Sequence, residues 1–299
     1  MSRAVFVSLN ALGDALCITP ALRAFRQANP GVSITVVTQA APFTRVLDGN
    51  PDIDLLIYSE RMYLNGIPEQ RNQWIATLPI ALRDAATLYM MDLRAVVTSA
   101  DVFQQHISKA FAKIVGVETD SVRPVIVLDE LERRAARLLT PKPYVVMSWH
   151  SVSNPEREDG QGRRKDWPAE SWRELAQRIR EELDLDVFSI GSERDPFPGV
   201  PGVQPLHGLP IKVVAALLEN AACVVTVENG IGHLSAAVDA PLVVIYSNLM
   251  PLPWANPAEA TACEVIYKDP RQTTVNEVLE AMDRVLLKRG TVQRCVSVS

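Results

Sequence analysis

The stretch Cys223–Ser247 constrains the fold most, because it has the pattern of a strand, a turn, a helix and a second strand. Cys223–Val227 is a short apolar, β-branched run, typical of a buried parallel strand. A helical pattern begins at Ile231 and ends at Pro241, and Leu242–Tyr246 is a second apolar strand. Units of this kind build α/β proteins with parallel sheets, in which the crossover connection is right-handed.

The turn of this unit, Glu228–His233, carries groups that suit an anion. Gly230 and Gly232 leave the first helical turn without side chains, so backbone N–H groups can approach a ligand closely. The positive end of the helix dipole lies there too, which favours a phosphate. Glu228 and His233 flank the glycines with an acceptor and a switchable donor. The alternative is a turn whose glycines only permit tight packing and whose histidine is hydrogen-bonded inside the protein.

Length and charge narrow the class of protein. The chain has 299 residues, which is long enough for two domains. Its net charge of −5 argues against a general nucleic-acid binder. The sequence has no signal-peptide pattern and no apolar run long enough to cross a bilayer, so we expect a cytoplasmic protein. Transient contact with the inner face of the membrane is compatible with this expectation. The cysteines lack metal-ligand spacing, so we expect reduced thiols and no metal site; they are Cys17, Cys223, Cys263 and Cys295.

Strand and helix patterns alternate along the whole chain. This alternation predicts an α/β fold with parallel sheets and helices on both faces. Pro141 and Pro143 bracket a polar residue between two such halves and form the best linker candidate. We therefore predict Rossmann-like domains over residues 1–140 and 141–290, and a flexible tail over residues 291–299. The domains are expected to face a central cleft at the carboxyl ends of their strands.

Two shorter segments are assigned from local composition. The apolar run Val125–Leu128 predicts a strand near the end of the first half. The proline-rich segment Pro196–Pro205 predicts a loop, because proline cannot donate to a sheet.

Three loops at predicted strand ends carry chemical groups. Their polar residues and glycines are Asn10, Gly13 and Asp14 in the first loop, His150, Ser151 and Lys165 in the second, and the turn Glu228–His233 in the third. A lysine and a helix N-terminus can neutralise a diphosphate leaving group, while a carboxylate takes the proton of an incoming hydroxyl. Taken singly, Asp14 is equally well explained as a helix cap, and Lys165 as a solvated loop charge. The functional interpretation rests on the agreement of the three loops.

Four motifs occur in series along the chain. They are Gly13-Asp14 with Thr19-Pro20, Pro51-Asp52-Ile53-Asp54, Lys165-Asp166-Trp167-Pro168-Ala169-Glu170, and Val227–Pro241. Together they resemble the signatures of glycosyltransferase family 9, the lipopolysaccharide heptosyltransferases. The region of about Tyr58–Arg123 carries the weakest resemblance and looks shorter than in the family.

The resemblance implies a GT-B fold and an inverting, metal-independent transfer of a sugar from a nucleotide-diphosphate donor to an acceptor hydroxyl. ADP-heptose is the leading candidate for this co-substrate, and no further cofactor is implied. Asp14 corresponds to the catalytic base, Lys165 to the lysine that contacts the donor diphosphate, and Glu193 lies near a family glutamate that holds the ribose. The remaining predicted substrate-binding residues are Asn10, Gly13, Ser151, Glu228, Asn229, Gly230, Gly232 and His233.

This sequence departs from the family pattern close to the predicted site. Ser8 stands where the family has arginine or lysine, Glu228-Asn229 where it has Asp-Ser or Asp-Thr, and Tyr246-Ser247-Asn248-Leu249 where it has Y-G-P-T. The loop containing Arg157–Gly162 is enlarged, and its basic residues Arg163 and Arg164 are candidates to replace the charge missing at Ser8.

The sequence leaves the acceptor open among a saccharide, a protein side chain and a small molecule. Two alternatives to a glycosyltransferase also remain, since fold does not fix function. One is a nucleotide-sugar epimerase-like enzyme of the same fold, and the other is a non-catalytic protein that binds a nucleotide sugar.

Overall fold

The computed structural model describes residues 2–8, 11–59, 75–76, 78–83, 87–91, 93–97, 100–151, 155–158, 160, 162–193, 195, 199–254, 256–257 and 262–289. The chain divides into two compact units. One comprises Met1–Val127 and Pro253–Asn256, and the other comprises Leu128–Leu252 and Pro257–Ser299. The predicted tail, residues 291–299, lies outside the described residues.

The first unit is built around a parallel sheet with the strand order β3-β2-β1-β4. Its strands are β1 Arg3–Ser8, β2 Ser33–Gln39, β3 Leu55–Ser59 and β4 Thr87–Met90. Its helices are α1 Leu12–Cys17, α2 Thr19–Ala28, α3 Ile80–Arg83, α4 Leu93–Val96 and α5 Ile107–Ile114, with 3-10 turns at Pro42–Leu47 and Ala100–Gln104.

The central strand β1 is buried on both faces, as expected for a parallel strand between helical layers. Val5 and Val7 join an apolar cluster on one face. On the other face Phe6 stacks with Phe25 and Tyr89, with both ring-centroid distances 5.1 Å. This packing fixes the carboxyl end of β1, from which the chain runs toward α1.

The predicted strand Val125–Leu128 is wrong. Residues 121–129 form no regular element in the structure. The backbone N–H of Val125 donates to the hydroxyl of Thr19 at 2.7 Å instead of to a neighbouring strand. A side-chain acceptor on α2 therefore takes the place of a sheet partner.

The second unit contains a six-stranded parallel sheet with the order β10-β9-β8-β5-β6-β7. Its strands are β5 Tyr144–Ser148, β6 Asp186–Gly191, β7 Val203–His207, β8 Cys223–Val227, β9 Leu242–Tyr246 and β10 Cys263–Tyr267. Its helices are α6 Glu130–Leu139, α7 Ala169–Leu183, α8 Ile211–Asn220, α9 Gly230–Ala237 and α10 Val275–Arg289, with a 3-10 turn at Pro270–Gln272. This is the order of a Rossmann sheet, and its direction of winding reverses between β5 and β8.

The second unit begins before α6, whereas the sequence predicts the domain boundary after it, between residues 140 and 141. Asp129 starts the helix with a capping box that includes Glu132. The guanidinium of Arg133 makes two hydrogen bonds to the carboxylate of Glu219 in α8, at 2.8 and 3.0 Å. These contacts attach α6 to α8 of the second unit.

The predicted loop Pro196–Pro205 is wrong in its last part, because β7 begins at Val203 and includes Pro205. Pro205 lies opposite Ser189 of β6, and β7 is the edge strand of the sheet. An edge strand tolerates proline, since the missing N–H can face away from the neighbouring strand.

Three tryptophans pack at the junction of β5 and α7. The ring centroid of Trp172 lies 5.9 Å from that of Trp149 and 4.9 Å from that of Trp167. The indole N–H of Trp167 donates to the carbonyl of Thr273 at 2.8 Å. This cluster fixes the start of α7 and the residues just before it.

Among the described residues, no helix combines the length and the apolar character needed to cross a membrane.

Candidate active site

The candidate site of the second unit lies where the winding of the sheet reverses, between the carboxyl ends of β5 and β8. In open α/β sheets this is the place where ligands bind. The hydroxyl of Thr226 in β8 donates to the carbonyl of Ser148 at the end of β5, at 3.0 Å. The loops that leave these strands therefore start side by side.

Asn229 ties the two loops together and caps α9. Its side-chain oxygen accepts from the N–H of Ile231 at 2.9 Å and lies 3.0 Å from the hydroxyl oxygen of Thr226. Its amide nitrogen donates to the hydroxyl of Ser148 at 3.1 Å and to the carbonyl of His150 at 2.8 Å. Both amide hydrogens are thus used inside the protein, which makes the side chain a brace between loops.

The N-terminus of α9 is less open than the glycines predict. The side-chain oxygen of Asn229 accepts the N–H of Ile231. The backbone carbonyl of Asn229 accepts the N–H of Gly232, with a nitrogen-to-oxygen distance of 3.3 Å. A Cβ atom at Gly232 would lie 3.5 Å from Pro257 and 3.9 Å from Thr226. Gly232 therefore faces protein, as in the packing alternative, while Gly230 is the first residue of the helix.

Lys165 forms an ion pair with Glu228 across the second unit. Its ammonium nitrogen lies 2.9 Å from Oε1 of Glu228, and the two side chains are only 12% and 10% exposed. The other carboxylate oxygen accepts a hydrogen bond from the hydroxyl of Ser247 at 2.5 Å. Lys165 is therefore not a solvated loop charge. The lysine motif and the glycine turn, which lie far apart in sequence, meet at this sheet edge.

His233 lies in the first half of α9 and is partly buried. Burial, and secondly the charge of Lys165, lower the pKa of this imidazole to about 4. The side chain is consequently neutral near pH 7. It offers a hydrogen-bond donor or acceptor to a ligand, but no additional positive charge.

Glu193 follows β6 at the same edge of the sheet, one strand beyond β5. It lies against Gly208, where an added Cβ atom would come within 2.5 Å of the glutamate Cγ. Ser151 is buried just after β5. The imidazole Nε2 of His150 lies 3.9 Å from the carboxylate of Asp195. The predicted residues Ser151 and Glu193 thus lie on loops that leave adjacent strands.

The enlarged loop carries its own anchor. Glu156 forms an antiparallel bridge with Arg163. Arg157 makes two hydrogen bonds to the carboxylate of Asp269, at 3.2 and 2.5 Å, and this guanidinium is the main reason that the pKa of Asp269 is lowered. Arg163 lines a cavity of about 470 Å³ together with Trp149 and Arg271. Arg163 therefore places a guanidinium beside this cavity of the second unit.

The candidate base lies in the first unit. Asp14 is in the first turn of α1, after β1, and its side chain is half-buried. Gly13 precedes it in the same helix, and Ser8 is buried at the end of β1. The predicted residue Asn10 lies outside the described residues. Asp14 therefore follows the carboxyl end of the central strand of its sheet, the position expected for a ligand-facing group.

Two Asp-x-Asp triplets occur in the chain, at Asp52–Asp54 and Asp184–Asp186. The first triplet precedes β3 and the second runs into the first residue of β6, so both lie at the amino ends of strands, away from the edges that carry the candidate residues. The carboxylate of Asp54 accepts from the N–H of Ile34 at 2.7 Å and pairs with Arg26 at 2.5 Å. These contacts assign that carboxylate to the joining of α2, β2 and β3.

Two parallel sheets, with a lysine and a capped helix N-terminus at a switch point, define an α/β protein with a candidate ligand site at the carboxyl edge of its strands. The family model "Glycosyltransferase family 9 (heptosyltransferase)" matches residues 83–279. The match covers more than half of the chain, so the protein belongs to glycosyltransferase family 9 and is a glycosyltransferase. Lys165 and the turn Glu228–His233 lie within the matched residues, and Asp14 lies before them.

Solved structures share this fold along nearly the whole chain. A family 9 glycosyltransferase from Veillonella parvula DSM 2008 is 20% identical, with a TM-score of 0.75 and coverage of 96% of this chain and 97% of that one. The E. coli ADP-heptose lps heptosyltransferase II is 15% identical, with a TM-score of 0.71 and coverage of 97% and 100%. E. coli heptosyltransferase WaaC with ADP is 19% identical, with a TM-score of 0.61 and coverage of 97% and 100%. At these identities the similarity assigns the predicted GT-B fold. Among curated protein sequences, none matches this chain.

Proposed function

We propose that the protein is an inverting, metal-independent glycosyltransferase that moves a sugar from a nucleotide-diphosphate donor to an acceptor hydroxyl. The observation that carries this proposal is the Lys165 ammonium, only 12% exposed, at the switch point of a Rossmann sheet. A lysine in that place meets the charge of a departing diphosphate without being surrounded by water.

The donor diphosphate would lie between Lys165 and the N-terminus of α9. As the bond from the sugar carbon to the diphosphate oxygen breaks, its electron pair stays on the diphosphate, whose negative charge rises. Lys165 stabilises that charge as a point charge, and the end of α9 contributes its dipole. Neutral His233 completes the turn as a hydrogen-bonding group.

Asp14 would act as the general base. Its carboxylate takes the proton of the acceptor hydroxyl while the acceptor oxygen forms a bond to the sugar carbon. Attack on the face opposite the leaving diphosphate inverts the configuration at that carbon. In this scheme the cationic groups of the protein supply the positive charge, so the step requires neither a divalent metal nor another cofactor.

Heptose is the sugar that we propose for the donor, with ADP as its nucleotide. The support is the family description and the similarity to WaaC, whose structures contain ADP and ADP-2-deoxy-2-fluoro heptose. The acceptor is a saccharide, a protein side chain or a small molecule. We propose a cytoplasmic location, with transient contact at the membrane surface where the acceptor is a lipid-linked saccharide.

A thermal-shift series with ADP-, GDP-, UDP- and dTDP-sugars tests the donor, since a ligand that binds only the native state raises the melting temperature. Release of nucleoside diphosphate that depends on an acceptor, with an inverted anomeric centre by NMR and full activity in EDTA, is the expected result. Activity that EDTA abolishes and Mg²⁺ or Mn²⁺ restores contradicts the metal-independent step. Release of a free epimerised sugar without an acceptor points to the epimerase alternative, and binding without turnover points to a non-catalytic role.

A further inference from the structure

Two of the departures from the family pattern, Glu228 and Ser247, contact one another. The hydroxyl of Ser247 donates to Oε2 of Glu228 at 2.5 Å, while Oε1 of the same carboxylate lies 2.9 Å from the ammonium of Lys165. Glu228 follows β8 and Ser247 follows β9, and these strands are neighbours in the sheet. The glutamate carboxylate thus spans the distance from the end of β9 to the lysine.

Because these three side chains are buried or nearly so, the Glu228 carboxylate needs partners for both of its oxygens. Ser247 is 1% exposed, and the side chains of Glu228 and Lys165 are 10% and 12% exposed. A carboxylate in such surroundings is stable only if its oxygens have hydrogen-bond or ionic partners. The hydroxyl supplies the partner for one oxygen, and the ammonium supplies the partner for the other. Removal of the hydroxyl leaves Oε2 without this donor and frees the carboxylate to rotate.

We propose that Ser247 is a positioning residue of the donor site, which acts through Glu228 to hold the ammonium of Lys165. The ligand of that ammonium, a nucleotide diphosphate, rests on the proposed function, whereas the coupling of the three side chains does not. Glu228 and Ser247 stand where the family pattern that this sequence resembles has aspartate and glycine, and their side chains are joined by a hydrogen bond.

Acylation of Lys165 in the free protein tests the coupling without any ligand. A brief exposure to acetic anhydride, followed by peptide mass spectrometry, measures how accessible and unpaired each amine is. Lys212 is the internal control, because its side chain is 15% exposed and it pairs with Glu132 at 3.0 Å, an ion pair that includes neither Glu228 nor Ser247.

The expected result is that Ser247→Ala and Ser247→Gly raise the labelling rate of Lys165 on the order of tenfold, the usual worth of a hydrogen bond to a charged group. Ser247→Cys should give an intermediate rate, because a thiol is a weak donor. Labelling of Lys212 should not change. An unchanged rate at Lys165, or an equal rise at both lysines, overturns the proposal.

A double-mutant cycle in donor turnover tests the effect on function. Glu228→Asp and Ser247→Gly should each lower kcat/KM for the nucleotide sugar, while the double variant should lose clearly less than the product of the two single losses. Losses that simply multiply overturn the proposed coupling. If the parent protein turns over no nucleotide sugar, the proposed function fails, and the labelling of Lys165 still decides whether Ser247 acts through Glu228.

Discussion

The side-chain amide of Asn229 donates a hydrogen bond to the hydroxyl of Ser148 at 3.1 Å, although the two residues are 81 positions apart in the chain. The bond joins the ends of β8 and β5, where the winding of the second sheet reverses. Because Asn229 also caps α9 and donates to the carbonyl of His150, one side chain sets the relative position of both loops of the candidate donor site.

Exchange of Asn229 should therefore separate its capping role from its bracing role. Asn229→Ser keeps an oxygen that can cap α9 but loses the donors to Ser148 and His150. Asn229→Asp keeps the shape but places a carboxylate oxygen against the carbonyl of His150. We expect Asn229→Asp to lower the free energy of unfolding by about 1–3 kcal/mol, and by more than Asn229→Ser does. Urea unfolding of the three proteins measures this order, and the reverse order contradicts the bracing role.

Asp14→Asn tests the proposal that Asp14 is the general base. Turnover should fall on the order of 10²–10⁴, the usual contribution of a positioned base, while donor affinity changes little. Asp54→Asn is the matched control in the same unit, since Asp54 pairs with Arg26 at the amino end of β3. That variant should lose stability and keep its turnover. Near-native turnover of Asp14→Asn shows that another group takes the proton.

Lys165→Ala should weaken the binding of a nucleoside diphosphate more than the binding of the nucleoside, because only the diphosphate presents negative charge to the ammonium. The control is Lys212→Ala, which removes an ion pair of similar burial that involves neither Glu228 nor the turn before α9. Isothermal calorimetry with both ligands makes the comparison. Equal losses for the two ligands, or no loss for either, contradict the diphosphate contact of Lys165.

Gly208→Ala tests whether Glu193 holds the ribose of the donor, because the added methyl group would displace the Glu193 side chain. Both Gly208 and Gly116 have φ of +73°, so alanine at either position costs about 1–2 kcal/mol of backbone strain. At Gly208 the new Cβ atom would also meet Glu193 at 2.5 Å, whereas nothing lies within 4 Å of the corresponding atom at Gly116. Gly208→Ala should therefore weaken donor binding by calorimetry, and Gly116→Ala should not. Equal donor affinities mean that Glu193 does not hold the ribose.

His233 should make stability depend on pH in a defined window. The pKa of its folded-state imidazole is about 4, below the ordinary value of about 6.5, because of burial and Lys165. Between these values the unfolded chain binds a proton that the folded protein does not, so the free energy of unfolding falls as pH decreases from about 6.5 to about 4. The loss is at most about 3 kcal/mol. His233→Gln should lack this part of the slope in urea unfolding at pH 7, 5.5 and 4.5; identical slopes refute the assignment.

Much of the fold follows from local pattern. The alternation of apolar strands and helical patterns predicts parallel sheets, and motifs placed just after strands necessarily gather at the carboxyl edge. The exceptions were decided by partners far away in sequence. Val125 donates to Thr19 instead of joining a sheet, and Pro205 is accommodated because β7 is an edge strand.

The site was predictable in its location rather than in its contacts. The sequence places Lys165 and Glu228 at the same edge but does not reveal that they form an ion pair. It also predicts Asn229 as a ligand-binding residue, whereas its amide hydrogens are used by Ser148 and His150. Side-chain contacts between neighbouring loops depend on ångström-scale geometry that the spacing of residues along a chain does not encode.

The anchor of the enlarged loop, Arg157 on Asp269, has a thermodynamic consequence. Two charge-assisted hydrogen bonds hold Arg157, and the neighbouring bridge joins Glu156 to Arg163, so these residues have lost much of their conformational entropy during folding. A ligand that contacts Arg163 therefore need not order this residue itself, and more of the interaction energy remains as affinity. The ion pair is partly exposed, so raised salt weakens it. The entropic cost of ordering Arg157 and its neighbours is then met when the ligand binds, and ligand affinity falls.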